Sequence, residues 1–99
     1  MTEEVIDVFR SCIPLLQTLS DPARQDIIVL LVRHHTLTVN EITNHSTLSR
    51  PAISHHLKIL RDNGLVTIEQ KGTQRFYSLQ LTDAIERMKR LITTVEGAC

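Results

Sequence analysis

A helix whose beginning and end are both marked in the sequence lies between Ser49 and Gly64, and this segment constrains the fold most. Ser49 is suited to cap the first amides of a helix, and Pro51 is tolerated in the first helical turn. Gly64 readily adopts the left-handed conformation on which helices often end. The apolar residues between these limits recur at helical spacing on one face, and they are Ile53, Leu57 and Leu60. The sequence therefore predicts a short amphipathic helix with a polar face turned away from the core.

The segments on either side of this helix predict what it packs against. Residues 37–46, LTVNEITNHS, are interpreted as a shorter helix, and TLSRP at 47–51 is interpreted as a tight corner. Residues 65–80 alternate between apolar and polar in two arms about residues 71–73, which is typical of a strand, a turn and a strand. This order predicts a helix-turn-helix followed by a β-hairpin wing.

Two helices are predicted before this unit. In residues 3–19 apolar side chains recur at helical spacing, but Pro14 lacks the amide that a helix interior needs, so we expect a kink or a break there. The expected apolar stripe consists of Val5, Phe9, Cys12, Leu16 and Leu19. Residues 20–35 begin with Ser20 or Asp21 as a cap, and they are apolar on nearly every side. We expect this second segment to be a buried central helix.

A last helix is predicted after the wing, with Thr82 as its cap. Its apolar stripe consists of Ile85, Met88, Leu91, Ile92 and Val95. The predicted order is therefore α-α-α-α-β-β-α, a mainly α winged helix-turn-helix with a small β-hairpin wing. With 99 residues, 41% of them hydrophobic, the chain has room for one core, so we expect residues 1–99 to form a single domain.

The hydrophobic pattern argues against a membrane protein. The longest apolar run, residues 27–32, is far shorter than the ~20 residues that cross a bilayer. The acidic start at Glu3 and Glu4 is unlike a secretory signal. Cys12 and Cys99 allow at most one disulfide, which is too few for a secreted disulfide framework. We therefore expect a cytoplasmic protein without membrane contact.

Charge is unevenly distributed along the chain, although the formal net charge is zero. Residues 1–48 carry three basic and six acidic side chains, a net charge of −3. Residues 49–76 carry five basic side chains against two acidic ones, a net charge of +3, and residues 77–99 balance at three and three. The basic block coincides with the helix that begins at Ser49 and with the wing. A face with this charge is typical of proteins that bind nucleic acid.

Four blocks of the sequence resemble those of a known family. The blocks LSDPARQDIIVLL, LTVNEI, LSRPAISHHLKILRDNGLV and GTQRFYSL are similar, in this order, to blocks of the arsenic-repressor (ArsR/SmtB) family of bacterial winged-helix regulators. The resemblance covers roughly residues 15–95. It implies a sequence-specific transcriptional regulator in which the segment SHHLKIL lies in the recognition helix, whose exposed residues contact the DNA groove.

The side chains of the predicted recognition helix divide into two groups. Those opposite the apolar face are of the kind that contact base edges and phosphates. The expected DNA contacts of this helix and its cap are Ser49, Arg50, Pro51, Ser54, His55 and Lys58. For His55 the alternative is a solvated surface histidine, whereas His56 lies beside the core, where bonding to a neighbouring group is expected. Adjacent histidines diverge on a helix, so we predict no metal site at this pair.

The wing adds a second group of candidate DNA contacts, which are Lys71, Gly72, Thr73, Gln74 and Arg75. Two cations beside a flexible turn are suited to contact with the DNA backbone or the minor groove. Arg75 has a structural alternative, because it is predicted to lie in the second strand and can pair with Glu69 across the hairpin. The sequence leaves both interpretations of Arg75 open.

The first and last helices are predicted to form a dimer interface. Each carries an apolar stripe longer than one small core can absorb, and two such stripes pack well across a two-fold axis. We therefore expect residues 1–19 and 82–97 to be the dimerisation helices of a homodimer. Its recognition helices would lie ~34 Å apart on a pseudo-palindromic operator in double-stranded DNA. The expected function is repression of the protein's own or a neighbouring operon.

The residues expected of a sensor depart from the family resemblance. Residues 38–41 stand where one branch of the family has a thiolate pair, and the last helix has no histidine, so we predict no metal site and no cofactor. Another branch has a dithiol switch, but Val29 occupies roughly the first cysteine position, which leaves Cys99 near the second and Cys12 on a different helix. Cys12 and Cys99 are therefore candidate redox residues. The alternatives are a regulator without a small-molecule sensor and one with an unrecognised ligand.

Two functions of other classes compete with DNA binding. An enzyme is disfavoured because the sequence has no Ser/His/Asp set and no phosphate-binding loop, so we predict no catalytic residue. The main competitor is a winged-helix module that binds only protein and has no operator of its own. A gel shift on the chain's own upstream DNA separates these, since a protein adaptor gives no sequence-dependent, salt-sensitive shift.

Overall fold

The computed structural model describes residues 2–99, which form five helices and three strands. Their bounds are α1 (Thr2–Leu19), α2 (Pro22–His34), β1 (Thr36–Thr38), α3 (Val39–Asn44), α4 (Arg50–Asp62), β2 (Val66–Lys71), β3 (Gln74–Leu79) and α5 (Thr82–Ala98). This order confirms the predicted mainly α fold with a β-hairpin wing, and β1 is an additional strand. Met1, which belongs to the predicted domain and first helix, lies outside the described residues. No helix within residues 2–99 is long and apolar enough to cross a membrane.

Strand β1 joins the wing to the helix-turn-helix. The sheet has the order β1-β3-β2, and both strand pairs are antiparallel. Leu37 is buried at the centre of β1, opposite the buried Tyr77. Thr38 then caps α3, because its hydroxyl accepts a hydrogen bond from the amide of Glu41 at 3.2 Å. The helix predicted from residue 37 therefore begins only at Val39. Three residues are too few to reveal a strand period, and β1 forms because β3 offers it a free edge.

Helix α1 runs from Thr2 to Leu19 without the break predicted at Pro14. Pro14 lies on the exposed side of the helix, and so does Arg10, whose carbonyl loses its amide partner to the proline. On the exposed side of a helix, water can take the place of the missing amide, so the loss costs little. The carbonyl of Pro14 accepts a hydrogen bond from the hydroxyl of Thr18 at 2.7 Å.

The apolar residues of α1 divide between two faces and do not form the single predicted stripe. The buried face consists of Val8, Cys12, Leu15 and Thr18. A neighbouring face is between 38% and 44% exposed, and it consists of Ile6, Phe9, Ile13 and Leu16. Phe9 and Leu16, which were predicted to share a stripe with Cys12, therefore lie on the exposed face. The prediction was wrong because residues three and four positions apart both lie near one another on a helix. Helical spacing alone therefore does not decide which of two adjacent faces is buried.

Helix α5 packs against α1 and also leaves apolar side chains uncovered. It begins at Thr82, which is its first residue and not the predicted cap, and Leu81 precedes it without a capping side chain. Ala84 is buried, whereas Ile85, Met88 and Ile92 are 47%, 38% and 55% exposed. These three residues, together with the exposed face of α1, are called here the α1/α5 apolar surface.

Helix α2 is buried on one side only. The carboxylate of Asp21 caps its first turn as predicted, accepting a hydrogen bond from a backbone amide at 2.8 Å. Ile27 and Leu31 are buried in the core, but Val29 and Val32 are 46% and 57% exposed. The prediction of a helix buried all round was therefore wrong, because part of its apolar run faces away from the other elements.

The core lies where the helices meet the sheet. Helix α4 contributes Ile53, Leu57 and Leu60, each at most 1% exposed, which confirms its predicted apolar face. They belong to one cluster whose other members include Ile27, Leu31, Leu37, Ile42, Leu65, Val66 and Tyr77. This cluster holds one side of α4 and leaves the opposite side to solvent.

Candidate nucleic-acid interface

Both ends of α4 have the predicted caps. The hydroxyl of Ser49 accepts a hydrogen bond from the amide of Ala52 at 3.3 Å, and Pro51 lies in the first turn. Beyond the other end, Gly64 has a φ of +72°, the left-handed conformation that glycine adopts without a steric penalty. The chain therefore leaves the helix abruptly after Arg50–Asp62 and turns back toward β2.

The face of α4 that turns away from the core carries the predicted contact residues. All of them are exposed, and they are Ser49, Arg50, Pro51, Ser54, His55 and Lys58. The amine of Lys58 lies 3.9 Å from the carboxylate of Asp62, and the two side chains are 77% and 61% exposed. Ion pairs this exposed are weak, so Lys58 is available to another anion.

The two adjacent histidines point in different directions, as predicted. Their ring centroids are 5.9 Å apart, and the ring planes are inclined by 56°. His55 is exposed, whereas His56 is half-buried, and its Nδ1 lies 3.3 Å from the guanidinium of Arg24. The prediction that a neighbouring group holds His56 is confirmed. In the described part of the chain, no three His, Cys, Asp or Glu side chains are grouped closely enough to hold a metal ion.

The tip of the wing presents its candidate residues to solvent. The exposed residues there are Lys71, Gly72, Thr73, Gln74 and Arg75. Gly72 has a φ of +62°, which favours glycine in the turn between β2 and β3. The amine of Lys71 lies 3.9 Å from the carboxylate of Glu69 and 5.6 Å from the centre of the Phe76 ring. Both contacts are at the surface, so the amine remains open to a further anion.

Arg75 does not pair with Glu69, so this alternative for Arg75 was wrong. The strand register places Arg75 opposite Gln70, and it places Glu69 opposite Phe76. Because successive side chains of a strand point to opposite faces, Glu69 and Arg75 lie on different faces of the hairpin. The carboxylate of Glu69 lies near Lys71 instead. Within residues 2–99, Arg75 has no ion-pair partner.

A groove of 610 Å³ separates α4 from the wing. The charged residues of its walls are four cations and one acid, and they are Arg50, Lys58, Arg61, Arg75 and Asp62. Arg50 is held on one wall, because its Nε donates a hydrogen bond to the side chain of Asn40 at 2.8 Å. Ser54, Thr73 and Gln74 also line the groove, whereas His55 and Lys71 lie outside it. The fold thus brings part of the helix and part of the wing together on one basic surface.

Arg61 lines this groove although it was not predicted as a contact residue. It lies two helical turns after Ser54, a spacing that returns to nearly the same side of a helix. Its side chain is exposed. The spacing was the signal that would have identified it.

The short helix α3 and the start of α5 use their acidic side chains for local structure. The carboxylate of Glu41 accepts a hydrogen bond from the amide of Thr38 at 3.0 Å and so closes a capping box. That amide holds the pKa of the Glu41 carboxyl below its ordinary value. Asp83 pairs with Arg87 at 3.1 Å. In related metal-sensing branches of the family, metal ligands are expected on the short helix and on the last helix. Here Glu41 accepts a hydrogen bond from Thr38, and Asp83 pairs with Arg87.

The two cysteines are free and lie far apart within one chain. Cys12 is 1% exposed, and its thiol lies 3.8 Å from the carbonyl of Arg87 on α5. Cys99 is exposed at the end of the same helix. From Arg87 to that end α5 rises about 18 Å, at about 1.5 Å for each residue. A disulfide needs Cα atoms within ~7 Å, so this conformation does not allow one within a chain.

Comparison with known proteins matches part of the chain to a family of bacterial regulators. The family described as "Bacterial regulatory protein, arsR family" matches residues 21–67. The arsenical resistance operon repressor of Staphylococcus xylosus is 36% identical over 87 residues, which are 86% of this chain and 83% of that protein. The transcriptional repressor SdpR of Bacillus subtilis is 36% identical over 81 residues, or 79% of this chain and 89% of that one. The structure of reduced HlyU from Vibrio cholerae has a TM-score of 0.73 and 27% identity, covering 98% of both chains.

Proposed function

The chain belongs to the arsR family of bacterial regulatory proteins, and on this premise we propose that it is a homodimeric transcriptional repressor that binds a pseudo-palindromic operator. The matched relatives are transcriptional regulators, so the prediction that the chain is not an enzyme is confirmed. One observation carries the proposal. A basic groove and an uncovered apolar surface occur on the same small chain, the groove between α4 and the wing and the apolar surface on α1 and α5.

Helix α4 is the proposed reader of the DNA sequence in the major groove. Ser54, His55 and Lys58 are exposed on the side opposite the core. A hydroxyl, an imidazole and an amine supply donors and acceptors that distinguish base edges there. The caps at Ser49 and Gly64 set the two ends of this helix.

The groove between α4 and the wing is the proposed binding site for the sugar-phosphate backbone of one DNA strand. Arg50, Arg61 and Arg75 line it, and phosphate contacts of this kind fix a protein's position on the duplex. The wing would continue the contact along the same strand or in the minor groove. Its proposed contact residues are Lys71, Gly72, Thr73, Gln74 and Arg75. The availability of Lys71 and Arg75 supports this role, since neither is held in a buried ion pair.

The α1/α5 apolar surface is the proposed dimer interface. Apolar patches of this kind on a small monomer are usually covered by a partner, and a two-fold axis covers two at once. In this arrangement residues 1–99 act as one domain, with segments 1–19 and 82–97 forming the interface. The two copies of α4 would then lie ~34 Å apart and reach successive turns of the major groove.

Repression is proposed to follow from occupancy of the operator. A dimer bound at a promoter excludes polymerase from the same DNA, and the regulated genes would be the protein's own or a neighbouring operon. The two relatives described above are named as repressors, which supports this direction of control. A regulator of this kind acts in the cytoplasm, where its DNA is.

The proposal includes no metal and no cofactor, and redox control through the thiols is a secondary proposal. Cys12 is buried against α5, and Cys99 lies about 18 Å further along that helix. A functional disulfide would therefore join thiols of two subunits. The exposed Cys99 is the one accessible thiol among residues 2–99.

The alternative is a winged-helix module that binds only protein. A module that binds only protein does not explain why four cations line a groove beside the exposed side of α4. A gel shift on the DNA upstream of the chain's own gene tests the proposal, with random DNA of equal length as the control. We expect a sequence-dependent shift that weakens as salt rises. No shift, or equal shifts on both DNAs, would favour the protein-binding module.

A further inference from the structure

The guanidinium of Arg24 lies where α1, α2 and α4 meet. Its side chain is 13% exposed, although arginine is usually found at the surface. The group donates to the carbonyls of Thr18 at 2.8 Å and Gln17 at 3.3 Å, and it lies 3.3 Å from Nδ1 of His56. It also pairs with Asp21 at 3.6 Å. One side chain thus connects the end of α1, the start of α2 and the flank of α4.

Two of these helices hold Arg24 in place. The last carbonyls of a helix have no amide partner within it, and they carry the negative end of the helix dipole. Arg24 donates to two such carbonyls at the end of α1 and brings a positive charge to them, and the carbonyl of Gln17 also accepts from Ser20. On its other side Asp21 caps α2, accepting from the amides of Ala23 and Arg24. The guanidinium is therefore fixed before it meets α4.

The contact with His56 bears on which of its two ring nitrogens carries the proton. A guanidinium has donors only, so Nδ1 of His56 must accept the hydrogen bond. A ring that accepts at Nδ1 carries its proton on Nε2. Within residues 2–99, side chains of α4 form hydrogen bonds to other helices at two places, from Arg50 to Asn40 and between His56 and Arg24. The second bond is the one that leads toward the proposed dimer helices.

We propose that Arg24 is a positioning residue, which fixes the orientation of α4 relative to α1 through His56. The inference rests on the proposed function, in which α4 reads DNA and α1 helps to form the dimer. Apolar packing in the core has no preferred direction, whereas a hydrogen bond between planar groups does. In a two-fold dimer, a rotation of α4 against α1 occurs in both subunits and changes how the two recognition helices face the DNA. Arg24 touches no DNA in this scheme.

Three substitutions and one control separate positioning from simple stabilisation. His56→Phe keeps a ring on the flank of α4 but removes the acceptor, and His56→Asn keeps an acceptor near the position of Nδ1. Arg24→Met removes the donors and keeps the stem. Gln25→Met is the matched control, because Gln25 also donates to the end of α1, at 2.8 Å to Leu19, without reaching α4.

Each protein is titrated with DNA that the parent selects from a random pool, at a temperature where circular dichroism shows all variants folded. We expect about tenfold weaker binding for His56→Phe and Arg24→Met, equivalent to about 1.4 kcal/mol. The slope of log K against log salt should stay that of the parent, because no phosphate contact is lost. His56→Asn and Gln25→Met should bind within about threefold of the parent, about half of that free-energy difference.

Nitrogen-15 spectra of the histidine rings give a second readout without DNA. In the parent, His56 should show one tautomer with the proton on Nε2, and Arg24→Met should lose this preference while Gln25→Met keeps it. Parent-like binding by His56→Phe, or a parent ring protonated at Nδ1, would overturn the positioning role. If the parent selects no DNA, the proposed function itself fails. The two failures are distinguishable because the first occurs with a parent that binds DNA.

Discussion

Replacing Lys71 by alanine should change how steeply salt weakens DNA binding, and the structure allows this effect to be isolated. The Lys71 side chain is 65% exposed, and its partner Glu69 is 72% exposed at 3.9 Å. A pair of this kind contributes at most about 1 kcal/mol to folding. Lys71→Ala should therefore leave the fold intact, so that a change in DNA binding reports the loss of the amine.

The size of the effect follows from counterion release. Each phosphate that a protein neutralises adds about 0.9 to the slope of log K against log salt. A dimer has two wings, so Lys71→Ala should lower that slope by about 1.8. When salt is raised from about 50 to about 200 mM, the ratio of the parent's DNA affinity to that of the variant should then fall about tenfold. Because phosphates carry no sequence information, the loss should be the same on operator and random DNA.

Fluorescence anisotropy of two labelled duplexes, one operator and one random, measures these slopes. Arg33→Ala on α2 is the matched control, since Arg33 is also an exposed cation but neither lines the groove nor lies on the helices assigned to the dimer interface. It should leave the slope unchanged. An unchanged slope for Lys71→Ala, or a loss confined to the operator, would refute the assignment of Lys71 to a phosphate.

Four further outcomes are expected from single substitutions. Ser54→Ala should reduce discrimination between operator and random DNA in the same anisotropy assay without altering the salt slope, since a base contact is lost. Leu57→Ala should lower the free energy of unfolding by ~2–5 kcal/mol in urea titrations, because Leu57 is 1% exposed in the core. Ile13→Glu should give a folded monomer in sedimentation at micromolar concentration, since Ile13 is 43% exposed within one chain. Under oxidant, Cys99→Ser should lose any covalent dimer on non-reducing gels while Cys12→Ser keeps it, and a persisting dimer in Cys99→Ser would contradict a bond through the exposed thiol.

The sequence predicted best those features that depend on neighbouring residues. The caps of α4 at Ser49 and Gly64 each need only a residue type at a fixed place. The apolar face of α4 follows from helical spacing alone, and so does the flank position of His56. These signals are local, so no knowledge of the rest of the fold was needed to interpret them.

Features that depend on distant parts of the chain were missed or misassigned. Strand β1 exists because β3, which follows much later in the chain, offers it an edge. The partner of Arg75 depends on the hairpin register, which places it opposite Gln70. The faces of α1 were confused because one apolar set is buried by the rest of the chain, whereas the other stays between 38% and 44% exposed. Arg24 gave no signal, since the groups it bonds come from α1 and α4 as well as its own helix.

Strand β1 has a consequence for the energetics of operator binding. A two-stranded hairpin alone is barely stable in water. Here a third strand holds β3 from its other side, and that strand leads directly into the cap of α3. The direction of the wing is thereby set by the same residues that start the helix-turn-helix. At the base of the wing, where β1 pairs with residues 76–78, less conformational entropy remains to be lost when the wing meets DNA, which lowers the ordering penalty of binding.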